Sequence, residues 1–359
     1  MRILHFPDVV LRQFFENFSF EELLKLSFCS NRIKNLIRSN QHYRFRKMKT
    51  IAYYLTSESM FNITGKSTCS YLHLTLMPHP GEHGNPMKIF GLEPGTLCCY
   101  SYSESSNVYL YRKQKEAVIQ GVHEYLFQFF GSSINYTIFS QKTTELPPIL
   151  KDVNGSDIWV PDDKTEEELE SYFKDYPIQK YLKLSGKLNS RFIPNSVVYR
   201  NEYLKIDSEN YGDEILLNFK GRHLIFIYTN FRDSTITQFL NKWKTNQGFQ
   251  NLKALFISFY QYPKEILFDR MLDNLEIMGN IDVRHLKPSE DALLVKWREM
   301  KTVSYPHTCM TEEKTLQSRD YLIRDGDGQG ASVDITQRCF SFVVWDSTEN
   351  THIIGSKNE

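Results

Sequence analysis

Two histidines and two cysteines in the first third of the sequence are of types that bind metal ions. His79 and His83 are separated by three residues, a spacing seen in zinc sites, and Cys98 and Cys99 follow them. Pro80-Gly81 breaks any helix that would place both histidines on one face, and no Cys-x-x-Cys pair accompanies them. A polar loop is therefore the better interpretation, and we predict no metal site and no cofactor.

The run Asp325-Gly326-Asp327-Gly328 is the second group of candidate metal ligands. It resembles the beginning of a calcium loop, which also needs further oxygen ligands and a terminal glutamate at fixed spacing. The following residues, Gln329-Gly330-Ala331, do not supply them. Alternating aspartates and glycines are typical of a tight turn, so we predict the turn of a β-hairpin here.

Motifs for catalysis are not found in the sequence. It contains neither a nucleophile elbow nor a phosphate-binding loop. The members of a Ser/His/Asp triad need not be close in sequence, and no pattern favours one. The six cysteines are scattered, which favours free thiols. The residues alone therefore favour no catalytic site, and an enzyme whose catalytic residues are distant in sequence stays an open alternative.

The composition is that of a globular protein, and the length of 359 residues predicts two or three domains. Acidic and basic residues balance at 43 each, whereas a general nucleic-acid binder would usually be basic. No apolar run is long enough to span a bilayer, and the first residues lack the apolar core of a signal peptide. We expect no nucleic-acid or membrane partner, and a location in the cytosol or nucleus.

Three short helices are predicted over the first 48 residues. Pro7 suits the first turn of a helix, and Asp8 complements the positive end of the helix dipole. Ser19 and Glu22 form a capping-box pattern that begins a second helix, and Ser30 can cap a third.

These helices carry more apolar side chains than they can bury among themselves. The apolar residues are Val10, Leu11, Phe14, Phe15, Phe18, Leu23, Leu24, Leu26, Ile33, Leu36 and Ile37. The excess must pack either on the remainder of the chain or on a partner, and composition alone does not decide between the two.

Strands and helices are predicted to alternate in the remainder of the chain. The spacing predicts helices over residues 115–130, 166–173, 234–243 and 286–295. It predicts strands over residues 51–55, 71–77, 108–111, 134–139, 196–199, 214–218, 223–228 and 252–259, with a closing hairpin over 321–345. The polar, acidic stretch 143–177 predicts an exposed connection between two halves.

Two segments, 115–139 and 234–259, share one form: an apolar helix, a short polar turn and a hydrophobic strand. This similarity indicates a repeated α/β architecture of the leucine-rich-repeat kind. The fold class predicted from all these patterns is α+β, with three N-terminal helices before a mixed α/β C-terminal domain. Trp243 and Trp345 are expected in its core.

The N-terminal block resembles an F-box. The family has a Leu-Pro-like pair, an apolar helix, a Leu-rich helix and a turn that contains serine. Here these elements are Phe6-Pro7, Val10-Leu11, Phe14-Phe15, Phe18, Leu23 and Ser27. Phe6, Cys29 and Ile33 depart from the usual residues. The run Ser27-Phe28-Cys29-Ser30-Asn31-Arg32 is similar to the Ser-x-Cys-Ser-x-Arg of nematode F-box proteins.

A second region resembles the F-box-associated region, type 2, of nematode proteins. Those proteins have a strand, an asparagine turn, a helix that ends in Lys-Trp, and another strand. Residues 229–234, 241–243 and 252–255 follow this order, and residues 323–326 and 342–345 are similar to the closing hairpin of the family. The resemblance implies four regions: an F-box (1–48), a first part of the recognition domain (49–142), a polar connection (143–195) and the F-box-associated region (196–359).

The resemblance implies a non-catalytic receptor subunit of a Skp–cullin–F-box ubiquitin ligase, and hence a protein that is not an enzyme. Its helices would bind a Skp-family adaptor, and through it a cullin, while the C-terminal domain binds an unidentified protein substrate. The residues that the resemblance assigns to the adaptor face, or to its support, are Phe6, Pro7, Val10, Leu11, Phe14, Phe15, Leu23, Leu24, Ser27, Cys29 and Ile33. The alternative is an interaction module that does not bind the adaptor.

Overall fold

A computed structural model of the chain describes residues 6–56, 61–67, 71–78, 97–102, 105–110, 115–176, 178–189, 191–259, 284–285, 320–335 and 339–345. The chain divides into two compact units, Met1–Pro161 and Asp162–Glu359.

The first unit begins with three helices: α1 (Asp8–Glu16), α2 (Phe20–Ser27) and α3 (Asn31–Phe45). The predicted capping box of α2 is confirmed, since the backbone N–H of Glu22 donates to Ser19 Oγ and the backbone N–H of Ser19 donates to Glu22 Oε2. The Ser19 hydrogen bonds hold the pKa of Glu22 below its ordinary value. Ser30 Oγ caps α3 by accepting from the N–H of Ile33, as predicted.

A mixed sheet and one long helix complete the first unit. The strands are β1 (Met48–Thr56), β2 (Phe61–Ser67), β3 (Tyr71–Pro78), β4 (Leu97–Tyr102), β5 (Ser105–Leu110), β6 (Asn135–Gln141) and β7 (Gly155–Trp159), and α4 (Lys115–Phe130) precedes β6. Their spatial order is β7-β6-β1-β2-β3-β5-β4. β1 and β6 are parallel, which requires a connection that crosses the sheet, and α4 belongs to this connection.

The second unit alternates helices with parallel strands. Its elements are α5 (Glu166–Asp175), β8 (Tyr181–Ser185), a 3₁₀ turn (Val197–Arg200), β9 (Tyr203–Asp207), α6 (Gly212–Asn218), β10 (His223–Thr229), α7 (Asp233–Lys244) and β11 (Ala254–Phe259). Consecutive strands from β8 to β11 lie side by side in chain order and run parallel. This regular layering places all the strand-to-helix connections on one edge of the sheet and all the helix-to-strand connections on the other.

Antiparallel strands extend this sheet. They are β12 (Arg284–His285), β13 (Asp320–Ile323), β14 (Gly330–Ile335) and β15 (Cys339–Val344), and β15 pairs with β11. The predicted turn of the closing hairpin is confirmed between β13 and β14, where Gly326 and Gly328 have positive φ angles of 92° and 71°. Trp243 and Trp345 are buried, as expected.

Two predicted strands were wrong. Residues 214–218 belong to α6, and residues 196–199 fall in the 3₁₀ turn and the residue before it. Both are short apolar runs, in which periodicity does not distinguish a strand from a buried helical turn.

The stretch 143–177, predicted to be an exposed connection, is partly buried, since it contains β7 and the side chains of Leu150 and Ile158 are buried. The helix predicted over 166–173 is confirmed as α5, and the boundary between the two units falls within this stretch. The polar residues of this stretch occupy the exposed face of α5 and the turns. The predicted helix over 286–295, His79 and His83 lie outside the described residues.

Candidate adaptor-binding surface

The three-helix module is held together by polar side chains on α3 that reach the backbone of α1 and of the turn after it. Gln41 Nε2 donates to the carbonyl of Arg12 over 3.1 Å. Arg44 donates to the carbonyls of Phe15 and Phe18 over 3.0 and 2.9 Å. The carbonyl of Arg12, earlier in α1, accepts from Gln41, and that of Phe15, later in α1, accepts from Arg44, so the contacts follow the same order along both helices. The first turn of α1 therefore lies toward the N-terminal half of α3.

Arg44 also stabilises the C-terminal end of α1 by charge. A cation near the last carbonyls of a helix interacts favourably with the helix dipole. The guanidinium carbon lies 5.1 Å from the centroid of the Phe20 ring, so the same side chain bridges α1 and α2.

The inner face of the module packs on α4. The ring of Phe45 lies 5.1 Å from that of Phe129 and 4.9 Å from that of Phe130. Phe20 contacts Phe130 edge-on at 6.2 Å. The remainder of the chain therefore covers this side of the module, which leaves its other side for any partner.

A polar contact at the same junction involves Ser27 and Lys34. Ser27 Oγ lies 2.8 Å from the hydroxyl of Tyr125. Lys34 Nζ donates to Gln128 Oε1 over 3.1 Å and lies 3.8 Å from the centroid of the Tyr125 ring. Burial lowers the pKa of Lys34 from its ordinary value. α3 and α4 are thus joined by a partly desolvated cation that contacts an aromatic face.

Five residues that the resemblance assigned to the adaptor face or its support are buried inside the first unit. They are Leu11, Phe15, Leu23, Leu24 and Ser27. Phe14 and Ile33 are half-buried against the same core. Phe6, Pro7, Val10 and Cys29 are exposed. The predicted set therefore divides into an inner group and an outer group.

The outer group centres on the beginning of α1. Phe6, Val9 and Val10 are 37%, 70% and 45% exposed, and together with Pro7 they form a surface that we name the α1 patch. Val9 is not in the set of residues predicted from the sequence. At about 100° per residue, Val9 lies on the side of α1 opposite Leu11 and Phe15, so a helical projection would have found it.

The carboxylates of the glycine-rich turn bind cationic side chains of the chain itself. Arg324 donates to both carboxylate oxygens of Asp327, and this hydrogen bonding holds the pKa of Asp327 below its ordinary value. Lys244 Nζ donates to Asp325 Oδ1 over 3.0 Å. Among the described residues, no group of three or more metal-binding side chains is found.

The comparisons with known proteins agree with the N-terminal geometry. The family model of the F-box domain matches residues 3–45. No curated protein and no solved structure matches the chain. The leucine-rich-repeat likeness thus stays a prediction. None of the described helices has the length and apolar character needed to cross a membrane.

The chain therefore contains an F-box domain, formed by α1, α2 and α3. An F-box domain implies binding of a Skp-family adaptor as part of a Skp–cullin–F-box ubiquitin ligase. Proteins with this domain are generally non-catalytic subunits.

Proposed function

We propose that the chain is a substrate receptor of a Skp–cullin–F-box ubiquitin ligase. Its F-box domain binds the adaptor, and its C-terminal region binds a protein substrate. The receptor performs no bond chemistry. It raises the effective concentration of the substrate beside the ubiquitin-conjugating enzyme. The observation that carries the proposal is the α1 patch, an exposed apolar surface on the F-box domain.

The α1 patch is the proposed centre of the adaptor interface. Val9 at 70% exposure would lose the most water-accessible apolar surface on binding. Phe14 in α1 and Ile33 in α3 are half-buried, Cys29 after α2 is exposed, and their contact with the adaptor is part of the proposal. The five buried residues of the predicted set support the surface by fixing α1 and α2 on the core.

The C-terminal region is proposed to be the F-box-associated region, type 2, that is found in nematode proteins. The order of β10, the turn at Asn230, α7 with Trp243 near its end, and β11 supports this proposal. The hairpin of β13 and β14 and the following β15 occupy the positions of the closing hairpin. Parallel strands with connections on both edges provide the loops on which binding residues are commonly placed.

The alternative, an interaction module that does not bind the adaptor, is favoured by one observation. Leu11 and Phe15 are 1% and 2% exposed, so the chain itself covers much of the apolar surface that required a partner. Val10, however, remains 45% exposed. The two functions therefore differ in whether the α1 patch is used.

Adaptor recovery tests the proposal. The full chain and its Val9→Asp and Val10→Asp variants are co-purified with a recombinant Skp-family adaptor. An unpaired carboxylate at the centre of an apolar interface should reduce recovery about tenfold or more. Ile193→Asp, at a residue 44% exposed in the second unit, is the matched control and should leave recovery unchanged.

Two results would contradict the proposal. If the wild-type chain is folded but binds none of the Skp-family adaptors, the interaction-module alternative is correct. If the Val9→Asp and Val10→Asp variants recover as much adaptor as the wild-type chain and the Ile193→Asp control do, the adaptor binds elsewhere. Urea unfolding of each variant separates loss of binding from loss of the fold.

A further inference from the structure

A cavity of about 420 Å³ lies in the second unit, where α6 and α7 end. The turn from α6 to β10 and the longer loop from α7 to β11 form its walls. It lies at the amino edge of the parallel strands, opposite the carboxyl edge where α/β sheets usually bind ligands. Its volume lies within the range of about 300–1,000 Å³ of ligand pockets.

The lining of this cavity is positively charged. Lys220 and Lys242 both line it, and no Asp or Glu is among its lining residues. Neither lysine forms an ion pair within the part of the chain that the structure describes. Arg222 and Lys244, each two positions from one of these lysines, are paired with carboxylates: Arg222 binds Glu202 over 3.2 Å and Lys244 binds Asp325 over 3.0 Å.

Four side-chain amides also line the cavity: Asn218, Gln247, Gln250 and Asn251. Three of them donate to backbone carbonyls. Asn218 donates to the carbonyl of Glu214, Gln250 to that of Asn246, and Asn251 to that of Lys220. These bonds fix three of the four amides in place. The amide oxygens remain suited to accept hydrogen bonds, which an N–H group of a peptide backbone supplies.

The loop after α7, which forms one wall of the cavity, has a defined conformation without a ligand. The backbone N–H of Gln247 donates to the carbonyl of Lys242 over 2.9 Å, a helix-ending bond that Asn246 permits by its φ of 57°. Phe249 also has a left-handed φ, of 60°, and its ring lies 4.8 Å from that of Phe239. Because the loop is already ordered, binding would cost little conformational entropy.

We propose that this cavity binds an acidic segment of the substrate, with a side-chain carboxylate between Lys220 and Lys242 and peptide N–H groups on the amide oxygens. The inference rests on the proposed receptor function and specifies the chemical class of its substrate.

Charge favours a carboxylate over a phosphate. Two helices end at the cavity, and each contributes about half a negative charge at its C-terminal end. These helix ends partly offset the charge of the two lysines, which disfavours a dianion more than a single carboxylate. A phosphate carries nearly two negative charges and is bound best by the fork of an arginine, but no arginine is among the lining residues. The same argument disfavours a nucleic-acid backbone.

Peptide binding to the purified full chain tests the proposal. Fluorescence anisotropy compares pools of short peptides that contain Asp and Glu with neutral pools in which Asn and Gln replace them. The acidic pools should bind more tightly to the wild-type chain. The double variant Lys220→Gln/Lys242→Gln should weaken their binding about tenfold or more, because two charge-assisted hydrogen bonds are lost.

Lys180→Gln/Lys187→Gln is the matched control, since both lysines are exposed in the second unit and neither lines the cavity. This control should bind the acidic pools as tightly as the wild-type chain does. Equal binding of acidic and neutral pools, or equal weakening in both double variants, would overturn the proposal. Preference for phosphoserine peptides or for a single-stranded oligonucleotide over the acidic pools would also overturn it.

Adaptor recovery of Lys220→Gln/Lys242→Gln is measured in parallel. Normal adaptor recovery with unaffected acidic-peptide binding would refute the cavity proposal and leave the receptor function standing. Failure of the wild-type chain to recover the adaptor refutes the receptor function, whichever peptides it binds.

Discussion

The hydroxyl oxygen of Ser27, at the end of α2, lies 2.8 Å from the phenolic oxygen of Tyr125 in α4. Ser27 Oγ also donates to the carbonyl of Leu24, so the Tyr125 hydroxyl is the donor in the longer contact. The family resemblance assigned Ser27 to the adaptor face or its support. In the structure, Ser27 fixes the F-box domain to α4 of the same unit.

Removal of this contact should destabilise the first unit. Ser27→Ala removes two hydrogen bonds and should lower the free energy of unfolding by about 1–3 kcal/mol. Tyr125→Phe leaves the bond from Ser27 to Leu24 and should cost about 1 kcal/mol. Urea denaturation of the single and double variants measures both costs and their coupling. Strictly additive effects would indicate that the two hydroxyls do not interact.

The stability of the first unit should fall below neutral pH because of His123. Its Nδ1 lies 2.9 Å from the Tyr53 hydroxyl and its Nε2 lies 2.6 Å from the carbonyl of Lys151. Burial lowers the pKa of His123 from its ordinary value of 6.5. As pH falls through 6.5, the unfolded chain therefore binds a proton before the folded chain does, and the free energy of unfolding decreases.

Urea midpoints measured from pH 7.5 down to pH 5.5 test this linkage. In the His123→Gln variant the urea midpoint should fall less between pH 7.5 and pH 5.5 than in the wild-type chain, whatever the variant's stability at pH 7.5. His42→Gln, at an exposed position in α3, is the control and should leave the decrease unchanged. A wild-type midpoint that does not move with pH would contradict the prediction.

The capping box of α2 should contribute measurably to stability. Ser19→Ala removes the acceptor for the Glu22 N–H and should cost about 1 kcal/mol. Ser39→Ala changes the same residue type at an exposed position inside α3, where alanine is the better helix former, and should be neutral or slightly stabilising. Urea denaturation distinguishes the two. Similar effects would mean that the Ser19 cap is dispensable.

Gly330, at the beginning of β14, should not tolerate a side chain. A Cβ atom there would lie 1.9 Å from Cε3 of Trp345, whose indole N–H donates to Ser332 Oγ over 2.8 Å. Gly330→Ala would displace this ring and should cost about 1–3 kcal/mol. Gly248→Ala is the control, since its nearest contact is Lys242 Cβ at 3.9 Å. A thermal melt that is unchanged by Gly330→Ala would contradict the prediction.

Local features were the ones that the sequence predicted well. The capping box at Ser19, the helix over 115–130 and the turn at 325–328 depend on residues three or four positions apart. Hydrogen bonds and side-chain spacing within such a segment are determined by neighbouring residues, so the pattern is sufficient. The prediction for the α6 segment was wrong because its few apolar residues fit a strand equally well, and only packing against α7 and β10 decides between the two.

The sequence by itself determined that an N-terminal apolar module exists and where its helices begin. Only the tertiary structure decided which of its residues face inward. Ser27 and Tyr125 are 98 positions apart, and nothing near Ser27 indicates that α4 covers it. Val9, Val10 and Leu11 are similar in type, but the packing of α1 on α3 buries only the last. Burial depends on which distant element covers a face, and a local pattern does not contain that information.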